Sequence, residues 1–283
     1  MAYESDIQWF PGHMAKTRRM IEENLKLVDA VVEIADSRIP ESSRNPLLDE
    51  LIGEKPRILL LNKCDYADDA LTREWKAYYE KKGYTVLVGD CRSGKGMKSF
   101  LPLLKKRLAP LLERRRARGM VGRALRVMVV GIPNVGKSSF INRMANARKT
   151  KVEDRPGVTR GKQWVTIDKE VELLDLPGIL APKLDDKAAA LRLAFTGAIK
   201  DDIMDTEALA EELGAYLKER YPDRLAERYK LDDTEGRITE RIAVKRGMML
   251  PGGVPDTGRA AAALLDEYRS GKIGKITLEQ PGG

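Results

Sequence analysis

Two cysteines, Cys64 and Cys91, and a single histidine, His13, occur in 283 residues. The cysteines lie too far apart in sequence for a metal knuckle, and their scarcity fits a reducing compartment, so a cytoplasmic location is expected. No apolar run reaches the roughly 20 residues needed to cross a bilayer, so no membrane span is expected. The opening "MAYESDIQWF" lacks a basic region followed by an apolar one, so no secretory signal is expected either. Internal repeats and low-complexity tracts are also missing. What remains is the composition of a soluble globular protein, 42% hydrophobic and 33% charged, long enough for one large and one smaller domain. Lys and Arg number 51 against 43 Asp and Glu, a formal +8 that favours a polyanionic partner. The basic stretch "KKRLAPLLERRRARG", Lys105 to Gly119, has two readings: a helix end with a solvated linker, or a contact to nucleic-acid phosphates.

Short apolar runs at Asp29–Asp36, Arg57–Asn62, Tyr84–Val88 and Leu125–Val130 have the character of buried parallel strands. Between the second and third, "LTREWKAYYEKKG" reads as a helix stopped at Gly83. "QWVTI" and "VELLD" flank the polar turn Asp168-Lys169-Glu170 and read as a hairpin. This alternation predicts an α/β fold with a doubly wound, mostly parallel sheet. After about Pro182 the pattern becomes helical. "DTEALAEELGAYLKERY" places Leu209, Leu213, Tyr216 and Leu217 on one face, with Asp205 or Thr206 as cap. "PDRLAERYK" and "DTGRAAAALLDEYRSG" repeat the helical signal. The expected division is residues 1–183 and a smaller all-helical domain, 184–283.

"GIPNVGKS" fits the phosphate-loop pattern through Gly131, Gly136, Lys137 and Ser138, and it stands where the pattern must, after a strand and before a helix. Glycines let backbone N–H groups close around phosphates; Lys137 would hold the β and γ phosphates, and the Ser138 hydroxyl would bind Mg²⁺. The alternative is a Gly-rich turn. "DLPG" follows the strand "VELLD": Asp175 can hold Mg²⁺ through a water, and Gly178 can bring its N–H to the γ phosphate. Between the two motifs "RPGVTRG" offers Thr159 as a second Mg²⁺ ligand and catalytic residue.

"NKCD" ends an apolar strand. Asp65 can accept two hydrogen bonds from guanine, where adenine would leave a buried carboxylate unpaired. Asn62 can bond the ring's other edge and tie to the phosphate loop, and the Lys63 stem can pack across the base. The alternative is a polar turn. In "GDCRSGKG" a backbone N–H near Cys91 could meet the guanine carbonyl. Cys64, Val135 and Ser139 belong to the same loops and complete the expected GTP-binding set. The order is base reader, base loop, phosphate loop, Thr, Asp. A doubly wound sheet does not dictate which strand the chain visits first. The reading is therefore a circularly permuted P-loop GTPase.

Beyond these motifs, "WFPGHMAKT" at the start, "ADSRIPESSRNP" (Ala35 to Pro46) and the tail "RSGKIGKITLE" mark a resemblance. Over nearly its full length the chain resembles the circularly permuted GTPase family of YlqF/RbgA, ribosome biogenesis GTPase A. The resemblance implies a cytoplasmic GTPase acting late in large-subunit assembly, with a precursor of the large ribosomal subunit, its rRNA and ribosomal proteins as partners. It also implies that the helical domain contacts RNA. Ile179 stands where many GTPases carry a water-orienting Gln. The resemblance suggests that His13 positions the attacking water instead, the alternatives being a helix-start residue or an RNA contact. Asn134 would help bind a potassium ion near the phosphates, or simply shape its turn. Arg241, Lys245, Arg246, Arg259, Arg269, Lys272 and Lys275 are candidate phosphate contacts. The rival readings are a GTP-gated RNA-binding scaffold and a signalling switch with little turnover.

Overall fold

The structure is a computed structural model, and it describes residues 11–120, 122–146, 163–168, 170–178, 186–199, 205–231 and 236–282. Thr159 and Ile179 lie outside the described residues, as does the side chain of His13.

Six strands form one sheet: β1 (Ala30–Asp36), β2 (Arg57–Asn62), β3 (Thr85–Val88), β4 (Leu125–Val130), β5 (Gln163–Asp168) and β6 (Val171–Asp175). Their spatial order is β3-β2-β1-β4-β6-β5. All neighbours are parallel except the β5–β6 hairpin at the edge. The chain steps outward from β1 to β3, then returns to lay β4 beside β1. In such a sheet a crevice opens at the carboxyl ends of the strands where the order reverses.

Side-chain alternation along the strands divides the core between two faces. Val31, Met128, Val130 and Leu174 point to one face and meet Ile21 and Leu25 of α1 (Pro11–Leu25) and Leu48 and Ile52 of α2 (Pro46–Ile52), and Ala35, Leu59 and Leu61 meet Trp75 and Tyr79 of α3 (Asp69–Lys81). Ala30, Val32, Ile34, Val127 and Val129 point to the other. There they meet Leu104 of α4 (Phe100–Arg107), and Phe100 stands edge-to-face with Phe140 of α6 (Lys137–Asn146), ring centroids 5.0 Å apart. Glu33, a charge buried mid-strand, is held by both Arg44 (2.9 Å) and Arg57 (3.1 Å). An unpaired carboxylate there would be costly in so dry a place.

The basic stretch belongs to the sheet layer. It forms the end of α4 and the whole of α5 (Ala109–Ala117), with Leu104 and Leu108 buried. Arg115 is turned inward to Asp29 at 2.5 Å, and Lys105 pairs with Glu170. It is thus a pair of packed helices rather than a linker, with its other arginines facing outward.

The C-terminal part contains α7 (Lys187–Phe195), α8 (Thr206–Arg220), α9 (Pro222–Tyr229), α10 (Ile238–Lys245) and α11 (Thr257–Arg269). Asp205 is the cap of α8, accepting from the Glu207 amide at 2.9 Å. Gly214 inside α8 admits Ile238 of α10, whose Cγ2 would lie 2.1 Å from an added Cβ. A two-strand hairpin, Met249–Leu250 with Val254–Pro255, interrupts the helices. Beyond α11 the chain turns back and buries Ile276, Thr277, Leu278 and Glu279. The apolar core runs without a break from Val32 and Phe140 through Phe195 to Leu264.

Glu267 ties three helices together. It takes Arg228 of α9 at 2.8 and 2.9 Å and Arg246, just past α10, at 2.8 and 3.1 Å. Burial alone would raise its carboxyl, but the two guanidiniums bring it from 4.5 down to about 2. A carboxyl lower in the folded state than in the unfolded one stabilises fully above its ordinary value and loses that contribution as pH falls. Glu267→Gln should therefore be less stable than wild type at pH 7. Urea midpoints should show the gap closing between pH 4.5 and about 2.

Candidate functional site

β4 delivers Gly131 to the crevice, and the chain turns through Asn134 into α6. An α-helix N-terminus with free amides is a ready cradle for anionic oxygen. The glycines are needed where the turn is tightest. A Cβ on Gly131 would lie 2.6 Å from the Ile34 carbonyl, and one on Gly136 would lie 2.4 Å from Asn62 Nδ2. Gly136 also has φ +102°, and Asn134 holds φ +60°, a conformation Asn tolerates better than most residues. Lys137 curls over the loop, with Nζ 2.9 Å from the Ile132 carbonyl. Burial pushes its ammonium down to about 8, against the pull of Asp175. Such a cation, short of water, is suited to a polyphosphate.

Asp175 ends β6, and the register sets it beside Val129, two residues before Gly131. Its carboxylate thus belongs beside the phosphate loop, near exposed Ser138 at the start of α6. A hydroxyl and a carboxylate are the sparse protein donors that Mg²⁺ accepts when substrate phosphates and water complete its shell. Among the described residues no group of three or more His, Cys, Asp and Glu forms a self-sufficient metal site. Gly178 lies against the phosphate loop: a Cβ there would be 2.8 Å from Pro133 N and 2.9 Å from Lys137 Nζ.

β2 brings Asn62 to the same edge. Its Nδ2 donates to the Val135 carbonyl at 2.7 Å, and its Oδ1 accepts from the Cys91 amide at 3.0 Å. One side chain therefore ties the base loop, the phosphate loop and the third loop together. Lys63, at φ +60°, spans the gap too, donating to the Asn134 carbonyl at 2.7 Å. Cys91 lines the pocket, but its amide is turned to Asn62 and not into the cavity. Asp90 accepts from the amides of Arg92 and Ser93, so it shapes its own turn. The Cys91 thiol is pushed up to about 12, chiefly by burial, which leaves it unreactive.

A cavity of about 570 Å³ lies between these loops. Asn62, Lys63, Asp65, Cys91, Asn134, Gly136 and Ser139 line it. Asp65 Oδ1 is buried with no hydrogen-bond partner, and burial, then Asp90, raises its carboxyl above the usual range. An orphaned acceptor in a pocket needs a ligand with matched donors, and the N1–H and 2-amino edge of guanine is one. Cys64 and Val135 are buried behind the loops and pack them.

Asp266, Arg269, Ser270 and Lys272 form another wall of the same cavity. Of the four, Arg269 and Lys272 carry a sequence signal, their charge, which pointed to RNA phosphates. The structure redirects several such cations. Arg246 is held by Glu267, Lys275 by Asp69 at 2.6 Å, and Arg269 donates to the carbonyls of Phe195 and Ala194. Arg241 and Lys245 also have partners, whereas Arg259 and Lys272 stand exposed.

A doubly wound sheet carrying a phosphate loop, an acidic switch strand and a guanine-type reader that precedes both in the chain defines a circularly permuted P-loop GTPase. The model of a family described as 50S ribosome-binding GTPase matches residues 126–219. Ribosome biogenesis GTPase A of Bacillus cereus is 46% identical over 278 residues, spanning 97% of this chain and 94% of that one. Its counterpart in Thermotoga maritima is 32% identical, over 97% and 95%. Mitochondrial ribosome-associated GTPase 1 of Mus musculus is 35% identical, over 96% and 90%. Among solved structures, GDP-bound YlqF aligns with a TM-score of 0.67 at 29% identity, over 94% of this chain and 100% of that one. GNP-bound YlqF from T. maritima aligns at 0.65. The chain belongs to the ribosome biogenesis GTPase A family, and it is a GTPase.

Replacing Asp65 by Ala removes the carboxylate whose buried oxygen has no partner in the pocket. Competition binding should show the preference for GTP over ATP falling by about 100-fold or more. An unchanged preference would remove Asp65 as the base reader.

Proposed function

We propose that this chain is a GTP-hydrolysing assembly factor for the large ribosomal subunit, whose slow intrinsic turnover is raised by the precursor particle. The observation that carries the reading is the meeting of the two motif sets in one pocket, around a buried Asp65 oxygen without a partner. The names of the relatives supply the ribosomal setting. The proposed division is residues 1–183 for GTP and 184–283 for RNA, in the cytoplasm. Exposed Arg259 and the outward arginines of α5 are among the described cations that could meet RNA phosphates.

In this reading Lys137 and the amides around Gly136 hold the β and γ phosphates. Asp65, Asn62 and Lys63 hold the base. Ser138, Thr159 and Asp175 would hold Mg²⁺, which when bound neutralises charge developing on the phosphates. Asn134 Nδ2 donates to the Gly197 carbonyl at 2.6 Å, and its Oδ1 is the atom that potassium would take.

His13 would orient the attacking water. α1 leads from its last residue, Leu25, through a short turn into β1, and it packs on β4 and β6. A helix that enters β1 by a short turn runs back along the sheet, and in this reading its first turn would bring His13 toward the carboxyl-end edge. A helix of 15 residues spans about 22 Å, close to the length of the strands beneath it. An imidazole titrating near neutrality can order water or accept its proton.

The test is GTP turnover with and without large subunits, in potassium and in sodium. Subunits should stimulate wild type, and potassium should stimulate more than sodium. His13→Ala should lose about 100-fold of the stimulated rate while still binding GTP. Stimulated turnover that survives in His13→Ala would remove the histidine from the mechanism.

A further inference from the structure

Two stretches of the family resemblance, Ala35–Pro46 and Arg269–Glu279, supply none of the nucleotide motifs. The structure brings them together, with the base-reading loop Asn62–Asp68 between them.

Arg38 is 1% exposed. Its guanidinium forks onto Asp36, Nε to Oδ1 at 2.9 Å and Nη2 to Oδ2 at 2.7 Å. Its Nη1 donates to the carbonyls of Tyr268 and Arg269 at 3.4 and 3.3 Å, where the end of α11 leaves such groups unsatisfied. Asp36 Oδ2 also takes Lys63 Nζ at 2.9 Å. A buried chain of charge thus runs from the end of α11 through Arg38 and Asp36 to Lys63, whose stem would pack across the base.

The other side of the loop is held by the tail. Ile276 N–H donates to the Tyr66 carbonyl at 2.9 Å, and the Asp68 amide donates to Thr277 Oγ1 at 3.0 Å. The same hydroxyl donates to the Ser37 carbonyl at 3.4 Å. Gly271, at φ +72°, lets the Tyr66 ring close on the tail; a Cβ there would lie 2.4 Å from it. Asp65 sits between Tyr66 and Lys63, so both of its flanks are anchored to parts of the chain outside the base-reading motif.

We infer that the C-terminal segment Tyr268–Glu279 is a specificity-determining part of the guanine site, with Arg38 as positioning residue for Lys63 and Thr277 for Asp65. The inference rests on the guanine reading of the pocket. Hydrogen bonds to a carboxylate weaken steeply as their angle departs from linear, so base choice depends on how firmly Asp65 is aimed. The wall stands at the base, which GTP and GDP share. It therefore acts on affinity and base selection, not on the rate at which bound GTP is cleaved.

The test uses the full chain with Thr277→Val, which keeps the shape and removes the hydroxyl, and Thr277→Ser, which keeps the hydroxyl. KM and kcat are measured for GTP and for ITP, which lacks the 2-amino group. Release of fluorescent GDP and of a non-hydrolysable GTP analogue is timed alongside. Thr277→Val should reduce the GTP-over-ITP preference by about three- to tenfold, in KM and not in kcat. Both nucleotides should leave faster by the same factor, and Thr277→Ser should behave as wild type. Gly271→Ala, which presses a methyl onto Tyr66, should give the same loss. Wild-type preference in both Thr277→Val and Gly271→Ala, or equal loss in Thr277→Ser and Thr277→Val, overturns the inference. A wild type indifferent to GTP and ITP overturns the guanine reading beneath it.

Discussion

The amide of Asn62 is the joint on which this site depends. One end of it bonds Val135 in the phosphate loop and the other bonds Cys91 in the third loop. Those loops come from strands visited at different times, with the reader first and the phosphate loop 73 residues later. The sheet makes this order irrelevant, because every parallel strand delivers its following loop to the same edge. A single short side chain then sets the spacing between the loop proposed to read a base and the loop proposed to grip phosphates. Gly136 is the complement of that joint, since a side chain there would collide with Asn62.

Much of this was legible in the sequence. Buried strands such as "RILLLN" and "LRVMVV" announce themselves because both faces must be apolar. The phosphate loop, "DLPG" and "NKCD" announce themselves because backbone geometry and hydrogen-bond pattern restrict which residues can serve. Capping by Asp205 was half legible: the polar start was plain, and the choice between Asp205 and Thr206 needed coordinates.

Charge was the poorest guide. A row of Lys and Arg looks the same whether its partner is solvent, RNA or another part of the chain. Arg115 turns inward to Asp29, while Arg228 and Arg246 share Glu267. Each pairing joins residues distant in sequence, so no local pattern betrays it. Asp90 carried no signal of its role. Its carboxylate accepts from the amides of Arg92 and Ser93 and shapes the turn of its own loop. The second wall of the pocket was likewise hidden, because Asp266 and Ser270 match no nucleotide motif and the charge of Lys272 pointed to RNA instead.

The tail's return to the base loop has a consequence for how the molecule comes into being. Thr277 meets Asp68 across 209 positions of chain and Ser37 across 240. Contacts so remote cost much loop entropy and form late in folding. A partly formed chain can complete its sheet and phosphate cradle well before the base compartment is shut. Competence to tell one purine from another would then arrive as the last act of maturation, after the scaffold is already firm.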